Sequence, residues 1–417
     1  MADRKALAHL LRRATFGPTA EEVDAAERAG AAATVDALLK PSGADAGAAR
    51  TPAPRLPEVD ERADRAAQIR TVGSWWLDRM VQAEHQLPEK LTFFWHGHWA
   101  TSADKVRYGT LMLGHQQTLA RTALGDFGTM VRAMLRDPAL IIWLDGQKNT
   151  VKAPNENLAR ELMELFTLGV GHYTEQDVRE GARALTGWVV DQRTGATSLN
   201  PKRHDSRPKT ILGSTGDFDA DSFAALLLGR PECPEFIARR LWLRYCGDNE
   251  IPGAALTEAA RQTTTGAMLK VLLLADGHAE LVKQPVEWLA GALRQLGLRP
   301  GDMPEQQRRQ LQSGLNQLGQ VPLRPPSVGG WPAGAAWLTT SAAQARLKMA
   351  QLLAGKAPQP VLDRLGAAPQ GTRIDALARL LVVDAFTDRT RAALTPAAGD
   401  PRKLLALGLA SPEYAIQ

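Results

Sequence analysis

The stretch that decides the fold is residues 154–188, which read PNENLARELMELFTLGVGHYTEQDVREGARALTGW. Its apolar residues recur at helical spacing, and Leu158, Leu162 and Leu165 fall on one face of a helical wheel. The pattern therefore predicts a helix over 155–168, followed after a short turn by a second helix.

The ends of these two helices are marked by residues with known capping roles. Pro154 suits a first helical turn, where its missing N–H is not needed. Gly169 is a good residue to end the first helix. Thr174 is expected to cap the second helix, over 175–187, with Asp177 at the capping-box position.

Outside this stretch, helical periodicity continues along most of the chain. The best strand candidate, 187–192, is short. The sequence predicts an all-α protein: a single large multi-helix domain over 1–417 with long irregular loops. Residues 41–58 resemble an exposed linker. Residues 190–218 and 320–337 are candidate functional loops, because long loops without regular structure are uncommon in compact domains.

The composition restricts the class of protein. The 417 residues are 44% hydrophobic and 23% charged, and the formal net charge is +5, which is ordinary for a soluble globular protein. Lysine and arginine are spread along the chain without a basic run, so nucleic-acid binding is not predicted. No segment suggests a membrane span or a leader peptide. We expect a cytoplasmic protein, or an exported one if this is a mature form.

The first candidate site lies on the helix predicted over 155–168. Asn157, Glu161 and Glu164 share a face at spacings of four and three residues. They can reach one point, as carboxylates do in metal-binding helix bundles. The alternative is a solvated face with Glu–Arg pairs, for example through Arg160.

The second candidate site is the sequence WHGHW, which contains His96 and His98. Two such histidines point to the same side of an extended chain, but on a helix they diverge by about 200°. Gly97 can correct this if it ends the helix. The alternative is a pair of histidines that flank an aromatic core cluster, and His115 is interpreted as a satisfied core histidine.

The third candidate site is the loop NPKRHDSRPKTILG at 200–213, where His204 and Asp205 are adjacent and Lys209 follows. The alternative is an ordinary polar turn. The chain has no Gly-x-Ser-x-Gly, phosphate-loop, HExxH or dinucleotide motif, and their absence argues against the common hydrolase, kinase and dehydrogenase classes.

These motifs resemble the signature of a bacterial family, DUF1800. The similar segments are NENLARELMELFTLGVGHYTEQDV, HLLRRATFGPT, LTFFWHGHWATS, NPKRHD, GQVPLRPPSVGGWPAG and SPEY. The resemblance covers nearly the whole chain but implies no defined activity. The resemblance implies a DUF1501 protein as a partner, because family members often stand beside such proteins. Family members also often carry an export leader. Where the family typically has Asn and Phe, this chain has Gly97 and Trp99.

The leading hypothesis is a metal-dependent enzyme. Oxidation is slightly favoured over hydrolysis as the reaction, because no hydrolytic motif appears. A mixed set of imidazoles and carboxylates suits a divalent transition metal such as iron, manganese, zinc or copper. Asp205 is a candidate ligand or general base, and Arg160, Lys209 and Asn157 are candidates to orient a small-molecule, glycan or peptide substrate. The candidate metal ligands are His96, His98, Glu161, Glu164 and His204.

Two alternatives stay open. One is a non-catalytic binding or assembly protein that holds a protein or glycan through the Trp- and Pro-rich loops around Trp331 and Trp337. The other is a metal-free acid–base hydrolase that uses Glu161, Glu164 and His204 for proton transfer. Convergence of the candidate side chains around one cleft favours catalysis, and their separation favours binding.

Overall fold

The chain folds almost entirely into helices. A computed structural model describes residues 3–57 and 62–417, and it is 62% helical with 4% strand, which confirms the all-α prediction. The helices up to the acidic segment are α1 (Arg4–Ala14), α2 (Ala20–Ala29), α3 (Ala31–Leu39), α4 (Ala46–Ala49), α5 (Arg62–Gln82), α6 (Gln86–His98), α7 (Ala103–Val106), α8 (Gly109–Thr122), α9 (Phe127–Met134), α10 (Pro138–Trp143) and α11 (Asn157–Glu161). The later ones are α12 (Glu175–Ala184), α13 (Ala220–Leu228), α14 (Glu232–Tyr245), α15 (Gly253–Ala260), α16 (Thr265–Leu274), α17 (Pro285–Gln295), α18 (Glu305–Gln317), α19 (Thr340–Lys356), α20 (Gln359–Ala367), α21 (Arg373–Leu380), α22 (Asp388–Leu394) and α23 (Pro401–Leu409).

The decisive stretch folds as two helices, but the first is not a plain α-helix. After α11 the backbone continues as a π-helix over Leu162–Thr167. The Thr167 hydroxyl donates to the Leu162 carbonyl at 2.6 Å, so this carbonyl has a hydrogen-bond partner in the wider turn. The Thr174 and Asp177 capping box at the start of α12 forms as predicted. Short π-helices are rare and often occur at functional sites.

The predicted loop over 190–218 is better ordered than the sequence suggests. β1 (Trp188–Val190) pairs antiparallel with β2 (Thr197–Leu199), and β3 (Lys209–Ile211) pairs antiparallel with β4 (Ser214–Gly216). The predicted strand at 187–192 is therefore present but shorter. These hairpins hold the His204–Asp205 turn against α12.

The linker-like segment at 41–58 is tethered to α5, although most of its described residues are exposed. The Asp45 carboxylate accepts hydrogen bonds from the backbone of Glu84 and His85, both at 3.0 Å. The Trp75 indole donates to the Thr51 carbonyl at 2.9 Å. Residue 58 lies outside the described residues.

Two apolar clusters form the core, and α6 lies between them. Leu91 and Trp95 belong to the first cluster, and Phe93 belongs to the second. Ile142 and Trp143 of α10 pack against both clusters. A helix with apolar residues all round is expected to be buried, and almost every residue of α6 is buried.

A network of charges crosses this core. Lys90 of α6 and Arg244 of α14 contact the same oxygen of Glu287 on α17, at 2.6 and 2.8 Å. The Lys90 ammonium also donates to the carbonyls of Thr15, at 2.7 Å, and Arg12, at 3.2 Å. Buried charges require such partners, so this network fixes where α1, α6, α14 and α17 meet.

Candidate functional site

The two histidines of WHGHW do not form a chelating pair. α6 continues through Gly97 to His98, so the expectation that Gly97 rescues the geometry is wrong. The rings enter different surroundings, as two side chains two residues apart on a helix must. His96 contacts Trp76, His115 and Trp331.

His98 lies in an aromatic cage and caps a helix end. Its Nε2 donates to the Phe166 carbonyl at 3.0 Å, near the end of the π-helix, where carbonyls lack intrahelical partners. Burial lowers the pKa of His98 to about 3. The ring is therefore neutral at physiological pH. The cage is formed by Phe94, Trp95, Trp99, Phe127, Phe166 and Phe236.

The polar residues of the acidic helix contact different partners. Arg160 pairs with Glu175 at 2.6 Å and Glu156 at 3.1 Å, and so links α11 to α12. Asn157 is exposed, and its backbone N–H donates to the side chain of Asn155 at 3.1 Å.

The two glutamates of this helix have different environments. Glu164 accepts a hydrogen bond from the Tyr173 hydroxyl. Glu161 is half-buried, and burial, together with the negative charge of Glu164, raises its pKa.

The HD loop forms an ion-pair clamp. Asp205 is buried and accepts from Arg183 at 2.8 Å and from Arg207 at 2.6 Å, and these hydrogen bonds hold its pKa far below the usual range. His204 contacts the Thr186 carbonyl through Nδ1 at 3.0 Å. The Lys209 ammonium is buried beside the clamp and has no hydrogen-bond partner in the part of the chain that the structure describes. Burial lowers the pKa of Lys209.

The predicted ligands consequently do not gather around one point. Within residues 3–57 and 62–417 there is no group of three or more His, Cys, Asp or Glu side chains placed to hold a metal ion. His98 and Asp205 already have close partners of their own, and Asp205 in particular is fully engaged by two guanidinium groups.

The structure instead brings His96 together with two residues that the sequence did not group with it. The rings of His96 and His115 have centroids 5.7 Å apart, and both rings are fully buried. His115 Nδ1 lies 3.0 Å from the Asp137 carboxylate. Asp137 resembles an ordinary helix cap in the sequence, because it precedes Pro138, and it does cap α10 through the N–H of Leu140 at 2.8 Å.

Hydrogen bonds assign the protons on the two imidazoles. A carboxylate only accepts, so Nδ1 of His115 carries the proton and Nε2 has a free lone pair. Nε2 of His96 accepts from the Leu323 N–H at 3.2 Å, so Nδ1 of neutral His96 carries the proton. The other two nitrogens, Nδ1 of His96 and Nε2 of His115, are buried and have no hydrogen-bond partner among the described residues.

The segment 320–337 covers this pair. The Trp331 ring stacks on Phe93 and meets His96 edge-on, with both ring centroids 5.4 Å away. The Trp331 indole N–H is also buried, and no residue in the described ranges accepts from it. A Cβ at Gly330 would lie 2.3 Å from the Gly97 carbonyl oxygen. Gly330 thus lets the segment lie directly on α6, whereas a Cβ at Gly97 would make only an ordinary contact with the Trp331 ring, at 3.7 Å.

This arrangement has a defined chemical capacity. Buried polar atoms are nearly always hydrogen-bonded, and an exception requires a water, an ion or a function. Here one ring offers an N–H donor and its neighbour offers a lone pair. A single oxygen that both donates and accepts, in a water or a hydroxyl group, has the chemistry that these two nitrogens require. We call His96 and His115 the imidazole pair, and Asp137 is its carboxylate.

None of the helices in the described ranges combines the length and apolar character needed to cross a bilayer. Neither a comparison with curated proteins nor one with solved structures gave a match. The model of one family, described as "Protein of unknown function (DUF1800)", matches residues 9–416. The match extends over nearly the whole chain, from α1 to the residues after α23. The chain therefore belongs to the DUF1800 family.

Proposed function

We propose that this protein is an acid–base enzyme of hydrolytic type, with His115 as the general base. The observation that carries the proposal is the pair of complementary, unpaired nitrogens on His96 and His115. Leaving a buried donor or acceptor unpaired costs about 1–3 kcal/mol, so an oxygen-bearing ligand is stabilised at this position. Asp137 holds His115 in the tautomer that a base requires.

The proposed chemistry follows from the proton positions. A water or substrate hydroxyl donates to Nε2 of His115 and accepts from Nδ1–H of His96. His115 removes the proton as the oxygen attacks the electrophilic centre of the substrate, and Asp137 stabilises the resulting imidazolium. The imidazolium then returns this proton to the leaving group as the bond between that group and the centre breaks. General-base catalysis of this kind typically contributes about 10²–10⁴-fold in rate. Burial and the neighbouring His115 lower the pKa of His96, so His96 acts as a neutral donor.

The proposal places a requirement on access. Both rings are fully buried, so a substrate reaches them only if part of the surrounding protein moves, and the 320–337 segment that covers His96 is the part we propose. Trp331 is the side chain of that segment in direct contact with the ring.

The activity test uses a panel of ester, glycoside, phosphoester and peptide substrates. We expect any hydrolysis found to fall by about 10²-fold or more in His115→Asn, and to fall in Asp137→Asn as well. His172→Asn is the matched control, because His172 is an exposed histidine far from this network in sequence. Hydrolysis that is equal in all four proteins would contradict the proposal.

A second test does not depend on a substrate. Long-range proton–nitrogen correlation spectra report which imidazole nitrogen carries the proton. We expect His96 and His115 both to be protonated at Nδ1 at neutral pH, and the His115 pattern to change in Asp137→Asn. A neutral His115 protonated at Nε2 is incompatible with the proposed base.

A metal-dependent form of the same activity is a second candidate. One observation favours it: an imidazole that donates its other N–H to a carboxylate is the usual arrangement of metal-binding histidines. His115 Nε2 would be one ligand for a divalent transition metal. His96 fits this role less well, since its Nε2 already accepts from Leu323 and its Nδ1 carries a proton. Activity that is lost when a chelator is added and restored by one divalent metal supports the metal-dependent form.

The separation of the predicted ligands supports the non-catalytic alternative. In that reading, the protein holds a glycan or a protein, for example of the DUF1501 type. Trp337 is buried and Trp331 lies against α6, so a partner would have to contact other surfaces of the 320–337 segment. Absence of any turnover, together with stoichiometric binding of such a partner, supports it.

A further inference from the structure

Arg346 on α19 is a buried cation with an incomplete set of partners. The residue is 5% exposed, and its Nη1 donates to the Trp337 carbonyl at 3.0 Å. Its Nε and Nη2 are buried and find no acceptor within residues 3–57 and 62–417. Burial lowers the pKa of Arg346, but a guanidinium does not lose its proton in a protein. The fold therefore encloses a positive charge whose remaining donors are unused.

The other arginines that are buried in the described ranges are better compensated. Arg12 pairs with Asp384 at 2.8 Å, and Arg13 donates to the Tyr245 carbonyl at 3.1 Å. For Arg346, burial is the sole cause of the change in pKa, so no carboxylate of the described residues acts on its charge. A buried charge without a counter-ion is strongly unfavourable, and a bound anion would offset this cost.

The unused donors define the shape of the missing partner. Nε and Nη2 lie on the same edge of the planar guanidinium of Arg346, with N–H bonds that run parallel to each other. This is an edge that a carboxylate or a phosphate contacts with two of its oxygens. The hydrogen bond from Nη1 to the Trp337 carbonyl occupies the third nitrogen and leaves the edge of Nε and Nη2 free.

The residue that contacts Arg346 also has an unpaired donor. The indole N–H of Trp337 is buried, and none of the described residues accepts from it. The unpaired groups of these two residues are thus all donors, whereas the imidazole pair leaves one donor and one acceptor. A water molecule both donates and accepts, but an ionised oxyanion only accepts. An oxyanion is therefore a better match than water for the donors of Arg346 and Trp337.

The guanidinium of Arg346 is covered by a turn at the protein surface. This turn is a 3₁₀ helix over Gly334–Trp337, in which Ala335 and Ala336 are exposed. Leu338 directly after the turn is 53% exposed. A ligand reaches Arg346 only if part of the surrounding protein moves, and this turn is the surface element that contacts the guanidinium directly.

We propose that Arg346 anchors a binding site for a small oxyanion, either a carboxylate or a phosphate, beneath the Gly334–Trp337 turn. The anion accepts from Nε and Nη2 of the guanidinium with two oxygens and offsets its charge. Arginine suits such a site because its rigid, planar set of donors matches the spacing of these oxygens. Oxyanion binding at Arg346 does not depend on the imidazole pair, so it can be tested without a substrate.

The first experiment measures anion binding by the full chain. Sodium acetate and sodium phosphate are titrated separately at constant ionic strength, with sodium chloride as the comparison. Binding is followed through the NMR resonance of the Arg346 Nε–H, which is assigned by its loss in Arg346→Met. We expect saturable oxyanion binding at one site and weaker binding of chloride, which has no pair of oxygens. The oxyanion with the higher affinity, acetate or phosphate, identifies the preferred group.

Substitutions of Arg346 make the binding test specific, with calorimetry as the readout in every variant. Arg346→Met removes the donors and the charge, and should weaken oxyanion binding at least about tenfold, the equivalent of about 1.4 kcal/mol. Arg346→Lys keeps the charge but loses the paired donors, and should weaken binding as well. Arg309→Met is the control, because Arg309 is exposed and pairs with Glu305, and it should bind as the wild type does.

Thermal unfolding gives a readout that needs no ligand. Arg346→Met should raise the unfolding midpoint, because an apolar side chain replaces a buried charge without a counter-ion. Arg12→Met should lower it, because the buried Arg12 has Asp384 as its partner. The preferred oxyanion should raise the midpoint of the wild type but leave that of Arg346→Met unchanged.

The results decide whether the site exists. Oxyanion binding that is tighter than chloride binding and is lost in Arg346→Met supports the assignment. Absence of saturable binding, or equal oxyanion affinities in the wild type and Arg346→Met, overturns it. A fall of the unfolding midpoint in Arg346→Met as large as that in Arg12→Met also overturns it, since the charge would then already have a partner.

Discussion

Replacing Glu287 by glutamine tests the charge network that holds the core together. The carboxylate contacts Lys90 at 2.6 Å and Arg244 at 2.8 Å, and the Lys90 and Glu287 side chains are 0% and 1% exposed. Glutamine keeps the shape and removes the charge, so two cations remain side by side in the core. Breaking a buried ion pair in this way typically costs about 3–5 kcal/mol, a large fraction of the roughly 5–15 kcal/mol that stabilises most proteins.

A change in the protonation of Lys90 limits this loss. Burial already lowers its pKa to about 8, against the opposing effect of Glu287. Without Glu287 the pKa falls further, and Lys90 can lose its proton near neutral pH. The unfolded chain then binds one more proton than the folded one, so the stability of Glu287→Gln rises as pH increases toward 10.5, the ordinary pKa of lysine.

The assay is urea unfolding followed by circular dichroism at pH 7 and at pH 9. Glu305→Gln is the control, because its pair with Arg309 is about two-thirds exposed and should change stability by no more than about 0.5 kcal/mol. A Lys90→Met, Glu287→Gln double variant should recover part of the loss. A loss below about 1 kcal/mol in Glu287→Gln, or an equal loss in the control, refutes the reasoning.

Two further predictions concern acid stability and backbone packing. Burial holds the pKa of His98 at about 3 in the folded state, below the ordinary histidine value of 6.5. The unfolded chain therefore binds one more proton as pH falls below 6.5, and the free energy of unfolding decreases. At two pH units below that value the loss approaches about 2.7 kcal/mol, and His98→Gln should show a shallower decline of urea midpoints from pH 7 to 4.5; an equal slope in both proteins argues against a neutral buried ring. Gly330→Ala should destabilise by roughly 2 kcal/mol or more, since the new Cβ meets the Gly97 carbonyl oxygen and φ is 83°, whereas Gly371→Ala, in open space, should change the thermal midpoint little.

Local pattern alone determined the helical class of this protein. Apolar spacing predicted the helices, and the Thr174–Asp177 capping box formed because its hydrogen bonds join residues only three positions apart. The π-helix after Glu161 was not predicted, because the apolar repeat over 155–168 suits an α-helix equally well. Within this π-helix the Phe166 carbonyl is engaged by His98, a tertiary contact that the local repeat does not encode.

The candidate site depended on distant contacts. The sequence indicated His96 and Asp205 as candidate site residues, but it did not indicate which residues they contact. Asp205 is engaged by Arg183, 22 residues away, and His96 by Leu323, 227 residues away. Asp137 looked like a helix cap and is one, yet it also orients His115.

The sequence by itself therefore determined the family, the helical class and which polar residues deserved testing. The tertiary structure decided which of them meet. Spacing along a helix fixes the direction of a side chain relative to its own helix, whereas the group that lies opposite is set by how separate helices pack. For His96 that packing brought His115, Asp137 and the 320–337 segment together, and it left His98 and the acidic helix in other surroundings.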